Sequence, residues 1–469
     1  MTVHVFSGPT VPAARVREVL RDAVTHPPVR HGDLMRLGAG PGDIVLIIDG
    51  LWHQSAPMRH KEILVLLAAG VAVVGAASMG ALRAAELAPY GMVGIGRIFE
   101  DFRSGVLDAD DEVAVLHTDD GRPLSEALVN LRAALTRAAA DGQLSHTEAD
   151  RLAGLARSLS YMSRSWAALG RLAEGEELGP AFSRADAWRR THSCDAKRED
   201  AERAFALIAA DPLRLPDTSG WAGREPWQTS FVRYWQAAFR PVAVAYGQHV
   251  SLLALLHHQQ LYDPRFPDRW RTRVLTAIAH ETGDDVCRPV RSAAVERSAL
   301  RSAAAAGVEV PSMSSDQLAH WLTEKEMSRL QTGEALARVV VRSARLDGAW
   351  TVWPATVAEA GDLLGSVPLA AEAVAAAFAL NAQVEAANPH PHTAAHLSAE
   401  RIASHLAQRW GLPEGCGRAV LDAAARDRAF RDFAGAVEVA RAFYLSARAV
   451  ATTPSASLVA SGARQSPRT

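Results

Sequence analysis

Short apolar runs alternate with helical segments through the first 120 residues of the chain. Four runs are dominated by apolar and β-branched residues, which is typical of strands buried on both faces of a parallel sheet. These runs are Val3–Phe6, Asp43–Ile48, Val71–Val74 and Val113–Leu116. The segments between them have helical spacing and comprise Pro12–Ala23, Glu62–Ala69, Gly80–Leu87 and Ile95–Arg103. Such alternation predicts an α/β domain with a parallel sheet and helices on its faces.

The rest of the chain is predicted to be helical. A capping box at Ser145–Glu148 marks the start of one helix, and Arg184–Ala210 is expected to be a single long charged helix. A length of 469 residues suggests about three domains. The predicted order is an α/β core at 1–120, a helical hairpin or extension packed on that core at 121–210, a linker at 211–230, a larger all-α domain at 231–450 and a disordered tail at 451–469.

The charge balance argues against nucleic acid and anionic membranes as partners. Lys+Arg total 50 and Asp+Glu total 52, so a net charge of −2 provides no basic field to attract phosphate groups. The longest uncharged apolar run, Ile63–Ala77, is shorter than the roughly 20 residues of a membrane-spanning helix. Met1–Pro9 lacks the pattern of a secretory signal, and three cysteines cannot form a disulfide framework. We therefore expect a reduced, cytoplasmic protein.

Polar residues follow each predicted strand, at the point where the strand ends. In open parallel sheets, ligands bind at the carboxyl ends of the strands, so these residues are candidates for a common site. They are Ser7, Gly8 and Thr10 after the first run, Asp49 and then His60 after the second, Ser78 after the third and His117 after the fourth.

The segment Val71–Leu87 has the pattern of a nucleophile elbow with Ser78 at its corner. Small residues, Ala76 and Gly80, stand two positions before and after the serine, as a sharp strand-to-helix turn requires. At such a corner the amides of Met79 and Gly80 point toward the hydroxyl, where they can stabilise an oxyanion. The alternative interpretation is that small residues let a helix pack on a strand, with Ser78 as its N-cap.

A nucleophilic serine needs a base, and the base needs an orienting group. His60 and Asp49 come from the neighbouring strand and are expected at the same sheet edge as Ser78. The order Asp, His, Ser along the chain differs from that of the α/β-hydrolases. The alternatives stay open: His60 as a surface histidine and Asp49 as a turn residue.

Charged residues beside these groups are candidates for substrate binding. Arg83 can bind an anionic substrate end, with Glu86 about one helical turn further on, and Lys61 with Glu62 follows His60 directly. Ordinary surface ion pairs are the alternative for both pairs.

Several motifs together resemble the TfuA-like core family over about residues 3–160. The motifs are FSGPT at Phe6–Thr10, IDG at Ile48–Gly50, HKEIL at His60–Leu64, GAASMGALRAAEL at Gly75–Leu87, GMVGIGRIFEDFRSG at Gly91–Gly105 and DDEVAVLH at Asp110–His117. The family often has serine where Thr10 stands. The long helical remainder of the chain resembles the family far less.

The resemblance implies a role beside YcaO proteins in forming peptide backbone thioamides. A family member is expected to dock on YcaO and to release sulfide by hydrolysing the thiocarboxylated C-terminus of a ThiS-like sulfur carrier protein; the precursor peptide is a further partner. Carried over from the last motif, Asp111, Glu112 and His117 are expected at the edge of the site, with a solvated acidic face as the alternative.

No cofactor is predicted for this chain, since ATP is used by the YcaO partner. No metal site is predicted either, because His390, His392 and His396 lack a carboxylate or cysteine at a supporting spacing. Two other functional hypotheses remain beside the hydrolase. One is a non-catalytic allosteric or scaffolding partner of YcaO in which Ser78 is structural, and the other is an unrelated esterase.

Overall fold

The computed structural model describes most of the chain. The described residues are 1–52, 55–118, 120–211, 222–224, 229–244, 248–280, 293–345, 354–388 and 393–452. The chain forms two compact units, Met1–Gln228 and Thr229–Thr469. Most of the predicted linker and tail, as well as His390 and His392, lie outside the described residues.

The first unit contains a parallel sheet of five strands, in the order β2-β1-β3-β4-β5. The strands are β1 (Val3–Phe6), β2 (Val24–His26), β3 (Ile44–Ile47), β4 (Ala72–Ala76) and β5 (Val93–Ile95). The helices that connect and follow them are α1 (Ala13–Val19), α2 (Asp33–Arg36), α3 (His60–Ala68), α4 (Met79–Leu87) and α5 (Arg97–Ser104). The predicted fold class, a parallel α/β domain followed by a helical region, is confirmed.

The strand order reverses between β1 and β3. The chain moves from β1 outward to β2, returns past β1 to β3, and then continues through β4 to β5. The register pairs Phe6 with Ile47 and Ile47 with Gly75, so the carboxyl ends of these three strands are level. Loops that leave such a switch point in opposite directions open a crevice at the sheet edge, the usual ligand position in this class of fold.

Both faces of the sheet are buried, which explains the continuous apolar composition of β3. Leu46 lies in a core with Ala201 and Phe205, whereas Val45 and Ile47 lie in the core formed with α3 and α4. Ala201 and Phe205 belong to α10 (Ala196–Ala210), which covers the first face together with α1. One layer of the α/β unit therefore comes from a helix about 100 residues beyond the last strand.

Four helices lie between α5 and α10 along the chain, and they form a hydrophobic core of their own. They are α6 (Leu128–Ala140), α7 (His146–Ser158), α8 (Trp166–Gly175) and α9 (Gly179–Thr191). The predicted capping box is confirmed, because the Glu148 amide donates to Ser145 Oγ and the Ser145 amide donates to the Glu148 carboxylate. The single long helix predicted over Arg184–Ala210 is wrong, since the chain leaves the helical conformation between α9 and α10.

Three further predictions in the first unit need correction. Val113–Leu116 is not a strand, because it follows a 3₁₀ turn at Asp110–Glu112 as irregular chain. The predicted helix Ile95–Arg103 starts late: Val93–Ile95 is strand β5, and Gly96 separates it from α5. Strand β2 was not predicted, since the three residues Val24–His26 are too few and too polar to form an apolar run.

The second unit is helical around one extended core, with a short antiparallel pair of strands. Its strands are β6 (Pro241–Ala243) and β7 (His249–Ser251). Its helices are α11 (Ser230–Phe239), α12 (Leu252–Tyr262), α13 (Phe266–His280), α14 (Ala293–Ala305), α15 (Ser315–Trp321), α16 (Glu324–Arg329), α17 (Thr332–Ser343), α18 (Val357–Leu364), α19 (Val367–Ala387), α20 (Ala399–Arg409), α21 (Arg418–Arg426), α22 (Phe433–Ala440) and α23 (Tyr444–Thr452).

Helix α19 is long and apolar enough, by length and composition, to cross a membrane. It packs against α12 and α23, and Asn381 of α19 donates a hydrogen bond to the Ala442 carbonyl. A core helix of a soluble protein passes the same test, so the criterion alone is weak evidence.

A buried ionic cluster in the second unit makes its stability depend on pH. Burial alone would raise the pKa of Glu326, but hydrogen bonds from Arg342 and the Thr323 amide, with the charge of Arg338, outweigh it and lower the pKa to about 2. A carboxyl with a depressed pKa stabilises the fold above its ordinary pKa of 4.5, and the contribution is lost as the pH falls from 4.5 toward 2.

Glu326→Gln is therefore expected to lower the free energy of unfolding at pH 7 by about 3 kcal/mol. Between pH 4.5 and 2 the native protein should lose more stability than the variant. Calorimetric melts at pH 7 and pH 3 measure both effects, and Glu324→Gln, an exposed position on the same helix, is the control. An equal loss on acidification in the native protein and in Glu326→Gln would contradict the assignment.

Candidate functional site

A cavity of about 420 Å³ opens at the carboxyl edge of the sheet, next to the switch point. Its walls are mostly apolar, with a few polar groups that converge on the interior, as in many small-molecule sites. The lining residues are Pro9, Asp49, Gly50, Leu51, Trp52, Ser78, Met79, Asp110, Asp111, Val113, Ala114, Val115, Leu116, His117, Tyr161 and Met162.

Ser78 stands at a strained corner between β4 and α4. The preceding residue, Ala77, has a φ of +66°, a left-handed conformation that is unfavourable for a residue with a side chain. The Ser78 amide donates to the Ala76 carbonyl at 2.8 Å, which closes a tight γ-turn. Ser78 occupies the N-cap position of α4, yet its side chain makes no capping hydrogen bond. Ser78 lines the cavity, and its hydroxyl does not cap the helix.

Two glycines allow this corner to form. A Cβ on Gly80 would lie 1.8 Å from the Ile47 carbonyl oxygen, and a Cβ on Gly75 would lie 2.0 Å from the Gly80 carbonyl oxygen. Helix α4 therefore touches the backbone of β3 and β4 directly. The Gly80 amide is engaged with the Ile48 carbonyl at 3.2 Å. The amide of Met79, the first residue of α4, has no partner within its own helix and points out of its N-terminal end.

Asp49 joins the two loops at the switch point. Its carboxylate accepts hydrogen bonds from the Gly8 amide at 2.9 Å, the Thr10 amide at 3.0 Å and the Thr10 hydroxyl at 2.6 Å. Asp49 is 2% exposed, so these bonds compensate for the removal of the carboxylate from water. Ser7, next to Gly8, is buried, and its Oγ has no hydrogen-bond partner among the described residues.

His117 brings an imidazole to the same cavity as Ser78 and Asp49. Its Nδ1 lies 2.8 Å from the Thr118 carbonyl oxygen, which can only accept, so Nδ1 carries the hydrogen. In the neutral ring, Nε2 is then the basic nitrogen. The strand that was expected to position His117 is absent, yet the residue reaches the predicted edge because the irregular segment 113–117 forms a wall of the cavity.

His60 does not line the cavity, and its side-chain hydrogen bonds are to residues of α4. It begins α3, and its Nε2 lies 2.7 Å from Glu86 Oε2 and 3.2 Å from Arg83 Nη1, both on α4. Arg83 also binds Glu86 at 2.6 Å. Burial opposes ionisation of Glu86, but the hydrogen bonds from His60 and Arg83 outweigh it and lower the pKa of Glu86. The structure thus pairs His60 with Glu86, while Asp49 is engaged with Gly8 and Thr10.

Glu62, expected beside a substrate, is completely buried and serves the fold. Its carboxylate binds His31 Nδ1 at 2.6 Å and accepts from the Gly32 amide at 2.8 Å and the Arg59 amide at 3.1 Å. It therefore fixes the start of α3 against the loop that follows β2. Lys61, the next residue back, is half-buried and does not line the cavity.

The acidic motif Asp110–Glu112 fastens the cavity wall to the helices beyond it. Glu112 is 1% exposed and forms two hydrogen bonds with Arg132 at 2.9 and 3.0 Å. Asp111 binds Arg164 at 2.7 Å, and Arg164 also donates to the Asp111 carbonyl at 3.0 Å. Asp111 lines the cavity, whereas Glu112 lies behind it. The alternative of a solvated acidic face does not describe Glu112.

Sequence reasoning missed Lys197 and the apolar walls of the cavity. Lys197, in the first turn of α10, is 3% exposed, with Nζ 3.9 Å from Asp49 Oδ1. The sequence feature that could have drawn attention to Lys197 is the rarity of lysine, since the chain has three lysines among 50 basic residues. Tyr161 and Met162 come from the α7–α8 connection and have no signal in the sequence that places them near β4.

The arrangement brings a hydroxyl, a basic imidazole nitrogen and a helix N-terminal amide to one largely apolar chamber. These are the groups that acyl transfer at a carbonyl carbon requires: a nucleophile, a proton carrier and an oxyanion donor. The described residues include no cluster of three side chains suited to hold a metal ion.

Comparison with known proteins identifies part of this unit. Residues 49–165 match the family model described as TfuA-like protein. The match contains Asp49, Ser78 and His117 and ends before α10. No curated protein matches the chain at a significant level. The chain therefore carries a TfuA-like domain, which occupies residues 49–165.

Proposed function

We propose that this protein serves YcaO-dependent peptide backbone thioamidation in the cytoplasm by releasing sulfide from a sulfur carrier. A TfuA-like domain suggests a role in the YcaO-associated thioamidation system. The finer proposal is that the protein hydrolyses the thiocarboxylated C-terminus of a ThiS-like carrier and supplies the sulfide to a YcaO partner, which uses ATP to modify a precursor peptide. The observation that supports it is the Ser78 hydroxyl at a strained corner of a cavity that also contains His117 and Asp49.

The reaction is acyl transfer from sulfur to oxygen. A nucleophilic oxygen, that of Ser78 or of a water held by it, attacks the thiocarboxylate carbon while His117 Nε2 takes its proton. The C–S bond breaks, and His117 returns the proton to the departing sulfur. Where Ser78 is the nucleophile, this step leaves an acyl-serine, which a water activated by His117 then hydrolyses to the carboxylate, restoring the Ser78 hydroxyl. Water and thiocarboxylate are converted to carboxylate and hydrogen sulfide, with no oxidant or reductant consumed. Asp49 holds the loop with Gly8 and Thr10 that frames the reacting group.

Charge is the main obstacle to this reaction, because a thiocarboxylate is an anion and resists a nucleophile. The Met79 amide, at the positive end of α4, lies where negative charge would build up on the carbonyl oxygen. A protonated His117 neutralises the departing sulfur. Apolar side chains in the walls, among them Leu51, lower the polarity around both interactions and so strengthen them.

Ser78→Ala is expected to reduce sulfide release from thiocarboxylated carrier by at least about 100-fold, since the nucleophile or its positioning group is lost. Purified full-length protein, the carrier and a sulfide electrode suffice for the measurement. Ser104→Ala, at an exposed serine at the end of α5, is the matched control and should keep full activity.

Unchanged sulfide release in Ser78→Ala would overturn the catalytic proposal. If the native protein releases no sulfide but still stimulates a YcaO partner supplied with free sulfide, it is a scaffolding partner. Turnover of simple esters with no partner present would instead indicate an unrelated esterase.

A further inference from the structure

Lysine is rare in this chain, and one of its lysines is buried behind the candidate site. The three lysines are Lys61, Lys197 and Lys325, among 50 basic residues. Lys61 and Lys325 are half-buried and exposed, respectively, whereas Lys197 is 3% exposed. Of the three lysines, Lys197 alone is removed from water.

Lys197 bridges two walls of the 420 Å³ cavity from behind. Its Nζ donates a hydrogen bond to the Val113 carbonyl at 3.0 Å and lies 3.9 Å from Asp49 Oδ1. Val113 belongs to the irregular segment that carries His117, and Asp49 belongs to the loop after β3. Lys197 also lines a smaller chamber of about 230 Å³ that shares Pro9 and Val115 with the first.

We propose that Lys197 is a positioning residue of the site, which holds the Asp49 carboxylate in place and fixes the segment of His117 against the sheet edge. It does not line the chamber of Ser78, so it acts through Asp49 and Val113. The catalytic part of this inference rests on the proposed function, and the structural part does not.

The chemistry of the position explains why lysine stands here. A buried arginine needs partners for five N–H groups in a rigid plane, whereas an ammonium needs three in any rotation. Val113 supplies one of these partners, and Asp49 adds an ionic contact at 3.9 Å. The charge of Asp195, which caps α10, also acts on the ammonium, and Glu126 lines the smaller chamber together with Lys197.

Burial lowers the pKa of Lys197, and the charges of Asp49 and Asp195 oppose that effect. Removal of Asp49 must therefore lower the pKa of Lys197 further.

The first test needs no activity. Full-length protein labelled with ¹³C at lysine Cε gives three side-chain resonances, which Lys61→Arg and Lys325→Arg assign. We expect the Lys197 resonance to titrate at a lower pH than the other two and to shift further down in Asp49→Asn. A Lys197 resonance that titrates with the other two lysines, or that ignores Asp49→Asn, overturns the inference.

The second test separates positioning from simple stability. Lys197→Met keeps the length of the side chain without the charge, and Lys325→Met is the exposed control. We expect Lys197→Met to lower kcat for sulfide release at least about tenfold at pH 7 while KM changes little, because the reacting groups are displaced but the walls of the site remain. The loss of melting temperature in the double variant Lys197→Met/Asp49→Asn should be smaller than the sum of the losses in the two single variants, because the two side chains act as a pair.

An unchanged kcat together with additive losses of melting temperature would show that Lys197 only fills space, and would overturn the inference. If the native protein releases no sulfide, the proposed function fails, while the lysine titration and the melting temperatures still decide the role of Lys197.

Discussion

Gly80→Ala is expected to unfold the first unit at temperatures where the native protein is stable. The new Cβ would lie 1.8 Å from the carbonyl oxygen of Ile47 and 2.6 Å from its carbonyl carbon. Both are backbone atoms of the central strand β3 and cannot rotate away. Overpacking a core costs roughly 1–3 kcal/mol when side chains can adjust, so we expect a loss of at least about 3 kcal/mol here. Calorimetry or denaturant unfolding measures it.

Gly154→Ala is the matched control for this substitution. Gly154 also lies inside a helix, α7, but a Cβ there meets nothing within 4 Å. Alanine favours a helix over glycine by about 1 kcal/mol, so the control should be as stable as the native protein or slightly more stable. Equal destabilisation by both substitutions would show that α4 does not pack as closely on β3 as described.

His117→Ala is expected to reduce sulfide release by about 100-fold or more, the usual contribution of a general base. His117 shares the cavity with Ser78, and its hydrogen bond to Thr118 leaves Nε2 as the basic nitrogen. His60→Ala should cost less than about tenfold, because His60 is engaged with Glu86 and Arg83. Initial rates of sulfide release for the two variants compare the histidine of the cavity with the histidine expected from the sequence.

His146→Ala, at an exposed first residue of α7, is the control for histidine removal and should retain full activity. A hundredfold loss in His60→Ala with little change in His117→Ala would reverse the assignment. It would restore the triad of Ser78, His60 and Asp49 that the sequence predicts.

The sequence predicted the parallel sheet because β3 and β4 are apolar on both faces, which few other environments permit. It predicted the corner at Ser78 because small residues, Ala76 and Gly80, stand two positions before and after the serine. The structure adds the reason for Gly75 and Gly80, since a Cβ on either would collide with a backbone carbonyl. Strand β2 could not be predicted, since its pairing with β1 depends on backbone hydrogen bonds rather than on apolar side chains. The strand predicted at Val113–Leu116 was wrong because the apolar side chains of this segment line the cavity and the segment does not join the sheet.

The partners of the charged residues were the least predictable part of the site. Spacing along the chain shows which residues follow a strand, but not which of several nearby groups each will bind. The sequence predicted His60 as the partner of Asp49, whereas the structure engages Asp49 with Gly8 and Thr10 after β1 and brings Lys197 of α10 to 3.9 Å from it. Such choices depend on contacts between residues far apart in sequence, which a single sequence does not record.

The segment that matches the TfuA-like family model, residues 49–165, is shorter at both ends than the compact unit in which it folds, Met1–Gln228. Residues 49–165 omit β1, β2 and β3, which are three of the five strands of the sheet, and α10, which covers Val74 on one face of it. An excised fragment with these limits would expose a broad apolar surface to water and would lose Lys197. Experiments on this domain therefore need a polypeptide that runs from the first strand through residue 210, and insoluble shorter pieces would say nothing about its chemistry.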